Sequence, residues 1–232
     1  MVLKNEAEKL NIKLDDDMLK SFEEYYKFLV KYNENVNLTA ITEYDEVMIK
    51  HFYDSLLLSL VLPCGKIKLI DIGAGAGFPS VPNAIYNKDL DVTIVDSLNK
   101  RIVFLSELSK LLNISNVCAV HARAEEYAEH HKEEFDVATA RAVARLNVLS
   151  ELCLPFVKIG GYFIALKSKN GSEELSEALN GIKILGGEVM DVKSFTLPLD
   201  MGERELIIIK KIKETPKKYP RRFNVIKNSP LR

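Results

Sequence analysis

The sequence predicts an α/β protein: a seven-stranded, mostly parallel sheet with helices on both faces, an antiparallel C-terminal hairpin and a helical N-terminal extension. Three observations carry this. Beyond Pro63, short apolar runs alternate with amphipathic stretches, a pattern that needs right-handed crossovers and gives a parallel sheet covered on both sides. The last two apolar runs are separated only by the turn PLDMGE, too short for a crossover and suited to a hairpin. Before Pro63 the apolar residues recur at helical spacing instead.

In the first region Met18, Phe22, Tyr25, Leu29 and Tyr32 recur every three or four residues behind the run Asp15-Asp16-Asp17, whose carboxylates suit a helix N-terminus. A second helical stretch opens at Thr42, with Asp45 as a variant capping box, and runs through Val47, Phe52 and Leu56 towards Leu60. The strand candidates are IKLIDIG (67–73), VTIVD (92–96), VCAVH (117–121), FDVATA (135–140), GYFIALK (161–167), EVMDVKSFTL (188–197) and ELIIIKKI (205–212). Helix candidates lie at about 79–87, 98–112, 123–131, 144–154 and 172–182. The chain thus divides into a helical region 1–62, an α/β domain 63–213 and a tail 214–232.

The 232 residues are 47% hydrophobic and 28% charged, near globular averages, which excludes disordered, collagenous and disulfide-stapled classes. No window approaches a membrane span, the N-terminus MVLKNEAEKLN has no apolar signal region, and the cytoplasm is the expected location. Cys64, Cys118 and Cys153 are widely spaced among apolar neighbours and are expected to be buried small hydrophobes. No cysteine or histidine spacing suits a metal, and His130-His131 lie in a charged stretch. The net charge of −1 conceals an asymmetry: residues 210–232 carry nine basic residues against one acidic, a net +8, leaving −9 for the remainder. A basic tail of this kind suits a polyanion.

The first strand runs into DIGAGAGFP (71–79). Gly73, Gly75 and Gly77 let the backbone turn sharply and approach a ligand closely, beside a helix N-terminus. A dinucleotide GxGxxG would place glycine where Phe78 stands, which disfavours a dehydrogenase, and no P-loop is present. The second strand ends in Asp96, 23 residues after Gly73, where an acid meets ribose hydroxyls.

DxGxGxG with an acid closing the next strand resembles the class I S-adenosylmethionine-dependent methyltransferases, whose Rossmann-like seven-stranded sheet also ends in an antiparallel hairpin. NLTAI (37–41), HFYDSL (51–56), DIGAGAGFP (71–79), VDSLNKR (95–101), RAE (123–125), ARAVA (140–144) and TPKKYPRR (215–222) together resemble the 16S ribosomal RNA guanine-N7 methyltransferase family, also called glucose-inhibited division protein B. They span nearly the whole chain. The resemblance implies methyl transfer from S-adenosyl-L-methionine to N7 of one guanine, on 16S ribosomal RNA or the small ribosomal subunit. It implies cofactor contacts at Gly73, Phe78, Ala124, Glu125 and Arg141, with Asp96 as ribose partner. Lys167 is followed by Ser168 where the family has glycine, and the tail reads RRFNVIKNSPL where members resemble RRxGxPxKxPL.

N7 of guanine offers a lone pair and has no proton to remove, so alignment and water exclusion are expected to suffice without a general base. Arg123 and Lys167 are expected to position the substrate. His51 and Asp54, one helical turn apart, are expected to make buried tertiary hydrogen bonds rather than to catalyse. Lys217, Lys218, Tyr219, Arg221 and Arg222 mix cations with an aromatic between Pro216 and Pro220; an extended stretch of this composition suits phosphate contacts and base stacking, and Lys100 and Arg101 would extend the same surface. A monomer is expected. The alternatives are a methyltransferase for another substrate and a non-catalytic RNA-binding protein of the same fold.

Overall fold

A computed structural model of the chain describes residues 2–169 and 171–231. The N-terminal region opens with α1 (Val2–Lys9), whose buried Leu3 and Ala7 are too few to announce it in the sequence. It continues with α2 (Asp16–Val36), capped by the Asp15 carboxylate, which accepts from the Met18 amide at 2.8 Å. That bond satisfies one of the orphan donors of the first turn. Asn37, at φ 49°, closes α2 in the left-handed conformation.

The second helical stretch is broken into α3 (Tyr44–Glu46), a π-helix (Val47–Tyr53), α4 (Asp54–Leu56) and a 3₁₀ turn (Leu57–Leu60). The expected cap at Thr42 is corrected: Glu43 occupies the cap position and makes no side-chain cap bond. The wider π winding covers Val47, Met48, Ile49, His51, Phe52 and Tyr53 together, more than the single stripe an α-helix buries.

The strands are β1 (Ile67–Ile72), β2 (Leu90–Asp96), β3 (Val117–His121), β4 (Phe135–Arg141), β5 (Val157–Ser168), β6 (Gly187–Thr196) and β7 (Glu203–Lys211). Their order is β3-β2-β1-β4-β5-β7-β6. The first five are parallel, while β7 runs antiparallel to both β5 and β6. A bulge between Val189 and Asp191 interrupts the register of the edge strand β6.

Between the strands lie α5 (Ser80–Tyr86), α6 (Asn99–Leu111), α7 (Ala124–Tyr127), α8 (Leu146–Cys153) and α9 (Gly171–Ile184). Helix α7 covers one turn where the sequence suggested nine residues; the charged stretch after Tyr127 offers no continuous apolar face.

Period-two alternation divides the buried side chains between two cores. Leu69, Val92, Ile94 and Ile164 pack with Phe22, Tyr25, Leu29 and Phe52 of the N-terminal region, and with Leu105 of α6. Ile70, Val95, Ala138 and Phe163 pack on the opposite side with Leu149, Leu152 and Ile182 of α8 and α9. The helical N-terminal region is therefore one wall of the sheet's core.

Two expectations are corrected. Cys153 is buried, but Cys64 and Cys118 are exposed; Cys118 lies on β3, an edge strand none of whose residues is fully buried. The tail is not extended throughout. It ends in α10 (Phe223–Asn228), with Ile226 buried. Its anchor is Arg221, which grips the fully buried carboxylate of Glu151 on α8 through its amide at 2.8 Å, Nε at 2.8 Å and Nη2 at 2.6 Å. Glu151 raises the Arg221 pKa in turn. Lys132 Nζ donates to the Tyr219 carbonyl at 2.6 Å, and Tyr219 itself is buried.

Removing one partner of a buried pair leaves the other charge unpaired in the core, at about 3–5 kcal/mol. Arg221→Ala is expected to lower the thermal midpoint by at least about 6 °C for a chain of this size, measurable by calorimetry, with a smaller loss for Arg221→Lys.

Candidate functional site

A cleft of about 390 Å³ opens at the carboxyl ends of β1, β2 and β4, where ligands bind in open α/β sheets. Its floor is the glycine loop. Gly73, at φ 73°, leaves β1 with its amide on the Val95 carbonyl at 2.8 Å. A Cβ there would lie 2.9 Å from Val143, whose loop folds over it. Gly75, at φ 61°, has open space where a Cβ would stand, so its backbone borders the cleft directly.

Gly77 is reassigned. A Cβ at this position would meet the Tyr25 hydroxyl and Val81 at 2.7 Å, and Tyr25 Oη donates to the neighbouring Ala76 carbonyl. The third glycine thus lets α2 close onto the loop and does not face the cleft.

Three acidic side chains face this floor or support it. Asp71 is fully buried, and its Oδ2 accepts from Ser80 Oγ at 2.6 Å and the Ser80 amide at 3.3 Å. Burial pushes its pKa up to about 7 against the lowering effect of the Ser80 bonds and Arg141. Among the described residues its Oδ1 has no hydrogen-bond partner. Asp96 accepts from the Leu98 amide at 2.9 Å, the Gly75 amide at 3.3 Å and Arg101 Nη1 at 3.0 Å. Those three bonds leave part of a carboxylate's accepting capacity for a ligand. Glu125 is largely covered at the opening of α7, 4.0 Å from Arg123.

The wall opposite comes from the N-terminal region and β4. Phe78 is stacked between His51, 4.5 Å away, and Tyr25, 5.4 Å away. The Arg141 guanidinium lies 4.9 Å from its centroid, a cation–π distance. Arg141 Nη1 donates to Asp54 Oδ2 at 2.9 Å and to the Lys50 carbonyl at 3.2 Å. His51 pairs with Thr39 Oγ1 at 2.9 Å and is held neutral, its pKa pushed down to about 3 by burial and by Arg141. His51 and Asp54 thus do make buried tertiary bonds, and Arg141 links them.

The cleft therefore brings together Gly73, Gly75, Phe78, Asp96, Ala124, Glu125 and Arg141, with Arg101 and Arg123 at its edge. Arg123 is 57% exposed, held only by 4.0 Å ion pairs to Glu125 and Glu126. Lys167 is not: its ammonium is buried against the Ala144 carbonyl at 2.8 Å and Glu174 at 2.7 Å, which corrects its placement as a positioning residue. Lys100 Nζ is bound to the Val36 carbonyl at 2.9 Å. Tyr219 and Arg221 are withdrawn from any ligand surface by the packing described above, whereas Lys217, Lys218 and Arg222 remain exposed.

Phe223 of the tail also lines the cleft, as do Leu38, Thr39 and Val143, which were not singled out as site residues. Leu38 and Thr39 fall in an aperiodic connector and were marked only by the string NLTAI, as Val143 was by ARAVA.

Comparison with known proteins gives the family. The model of the GidB family, described as rRNA small subunit methyltransferase G, matches residues 18–207. The ribosomal RNA small subunit methyltransferase G of Staphylococcus saprophyticus is 55% identical over 222 residues, 95% of this chain and 93% of its own. That of Ligilactobacillus salivarius is 53% identical over 226 residues, 95% and 94% of the two chains. Among solved structures, M. jannaschii TYW2 in complex with AdoMet shares the fold, with TM-score 0.57, 16% identity, and 75% and 80% of the two chains covered.

The glycines separate by substitution. Gly75→Ala is expected to cost about 1 kcal/mol from its left-handed backbone while its methyl enters the cleft. Gly77→Ala adds overpacking against Tyr25 and Val81, for roughly 3 kcal/mol in all. Calorimetry should show the larger drop in melting temperature for Gly77→Ala.

Proposed function

Because the chain belongs to the rRNA small subunit methyltransferase G family, we propose that it is an S-adenosyl-L-methionine-dependent enzyme that methylates N7 of one guanine in 16S ribosomal RNA. The observation that supports this best is the cleft itself: a glycine floor without side chains, acidic groups at Asp96 and Glu125, and an aromatic–cation wall at Phe78 and Arg141.

The residues present fit the cofactor. The open space at Gly75 admits a ligand against the backbone. Asp96 has accepting capacity left for ribose hydroxyls, and Glu125, with Ala124, offers a carboxylate for the nucleoside end. Bound there, S-adenosyl-L-methionine supplies a methyl group already activated on a sulfonium. The residual chemistry asked of the chain is positioning, because N7 presents a lone pair and no proton. His51 fits that picture: it is uncharged, and Thr39, Arg141 and Phe78 engage its ring. Covering of Phe78, Asp96 and Asp71 keeps water from the floor.

On the RNA side, Arg123 lines the cleft, and the exposed Lys217, Lys218 and Arg222 belong to the tail whose Phe223 reaches it. Phosphate contacts of this kind orient a nucleic acid without reading its sequence. The chain acts in this reading as a cytoplasmic monomer on 16S ribosomal RNA or the small subunit.

The decisive experiment supplies labelled S-adenosyl-L-methionine to small subunits, or to their RNA, from cells lacking this protein and maps the label. One guanine N7 is expected to carry it; label in protein, or none in RNA, would overturn the proposal. Replacing Lys217, Lys218 and Arg222 with alanine is expected to weaken RNA binding and flatten its dependence on log salt by up to about 0.9 for each phosphate no longer neutralised. Affinity for S-adenosylhomocysteine should stay unchanged.

A further inference from the structure

We propose that the Thr39 hydroxyl selects guanine at the target position by donating a hydrogen bond to its O6, an inference that rests on the guanine-N7 reading above. The argument starts from the loop that carries Thr39. Asn33, in the last turn of α2, accepts from the Leu38 amide at 2.7 Å and the Thr39 amide at 2.9 Å, and its Nδ2 donates to the Thr39 carbonyl at 2.9 Å. Lys100 fixes the preceding Val36 carbonyl. The backbone polar groups of Thr39 are therefore taken, and what it brings to the cleft is its side chain.

The hydroxyl oxygen receives the Ile41 amide at 3.0 Å and faces His51 Nε2 at 2.9 Å. The partner that holds the proton in the second contact is assigned from the other side of the ring. Arg141 Nη2 lies 3.4 Å from His51 Nδ1, and a guanidinium only donates. We assign Nδ1 as the acceptor of this contact, which puts the proton of the neutral ring on Nε2, directed at Thr39. The Lys50 carbonyl on the same side accepts from Arg141 Nη1 at 3.2 Å. Burial and the Arg141 charge keep the imidazole neutral, its pKa pushed down to about 3 against the raising effect of the Lys50 carbonyl.

Both lone pairs of the Thr39 oxygen are then filled, and its own proton is left for a ligand in the cleft. Such a hydroxyl can give a hydrogen bond and cannot take one. Guanine presents O6, an acceptor, beside N7, whereas adenine presents an amino donor at that place. The Thr39 proton suits the first and meets the second donor to donor, a mismatch that buried polar sites reject strongly. A single hydroxyl also leaves N7 free, unlike an arginine fork, whose second N–H would occupy the lone pair that accepts the methyl group. Arg141 is held off by Asp54, the Lys50 carbonyl and His51. Thr39 is in this scheme a specificity residue, and His51 and Arg141 are positioning residues that act through it.

The test uses the full chain and reconstituted small subunits with either guanine or 2-aminopurine, which keeps N7 but lacks O6, at the mapped position. Thr39→Val is expected to lower kcat/KM on guanine by about 10- to 100-fold, the worth of one hydrogen bond in a dry site. Thr39→Ser should restore most of the loss, and affinity for S-adenosylhomocysteine should not move. On 2-aminopurine, wild type and Thr39→Val should be equal within about twofold. Because the two substrates are compared within each protein, a general folding defect cancels. Equal losses on both bases, or no loss on guanine, overturn the inference while leaving the guanine-N7 reading intact. Absence of wild-type transfer to guanine N7, mapped first, overturns that reading and this inference with it.

Discussion

The carboxylate of Asp54 determines how the cleft is assembled. It is buried, with one oxygen on Arg141 at 2.9 Å and the other on Arg204 at 3.0 Å. Arg141 ends β4 and Arg204 lies in β7, on either side of β5, while Asp54 follows the π-helix of the N-terminal region. One carboxylate therefore ties the helical region to the two strands that flank β5, at the end where the cleft opens. A carboxylate out of water is tolerated only when its partners are well placed, so the position of Arg141 over Phe78 and beside His51 follows from the same requirement.

Much of this architecture was legible in the sequence, and the reasons are local. All seven strands follow from short apolar runs between amphipathic stretches, and the hairpin from a connection too short for a helix. The glycine floor followed from three glycines directly after a strand, and Asp96 from its place at the end of the next. Arg141 and Glu125 needed the family resemblance, because an isolated arginine or glutamate at a strand or helix end carries no chemical signature of its own. Tertiary partners were out of reach. Gly77 reads like Gly73 and Gly75, yet its neighbour is Tyr25, 52 residues earlier. Lys167 reads as a free cation until Glu174 and the Ala144 carbonyl are placed around it.

The tail shows how charge counting misleads when burial is unknown. Of its cations, Lys211 is fully buried with Leu154, Thr215 and Glu133 as partners, and Arg221 is neutralised by Glu151. The field available to a polyanion comes from the remainder, chiefly Lys217, Lys218 and Arg222. The one sequence clue was Glu151 itself, a lone acid within the apolar segment LNVLSELC, which needed a cation from elsewhere in the chain.

The bulge in β6 has a consequence beyond the site. An outer strand with unpaired amides and carbonyls is a template on which another molecule can add its own strand. In β6 the bulge between Val189 and Asp191 breaks the hydrogen-bonding rhythm at mid-strand, and Glu188, Asp191 and Lys193 put charge along it. An incoming strand would have to match an irregular ladder and desolvate those charges. The break in register thus guards the open border of the sheet against edge-to-edge aggregation in a crowded solution.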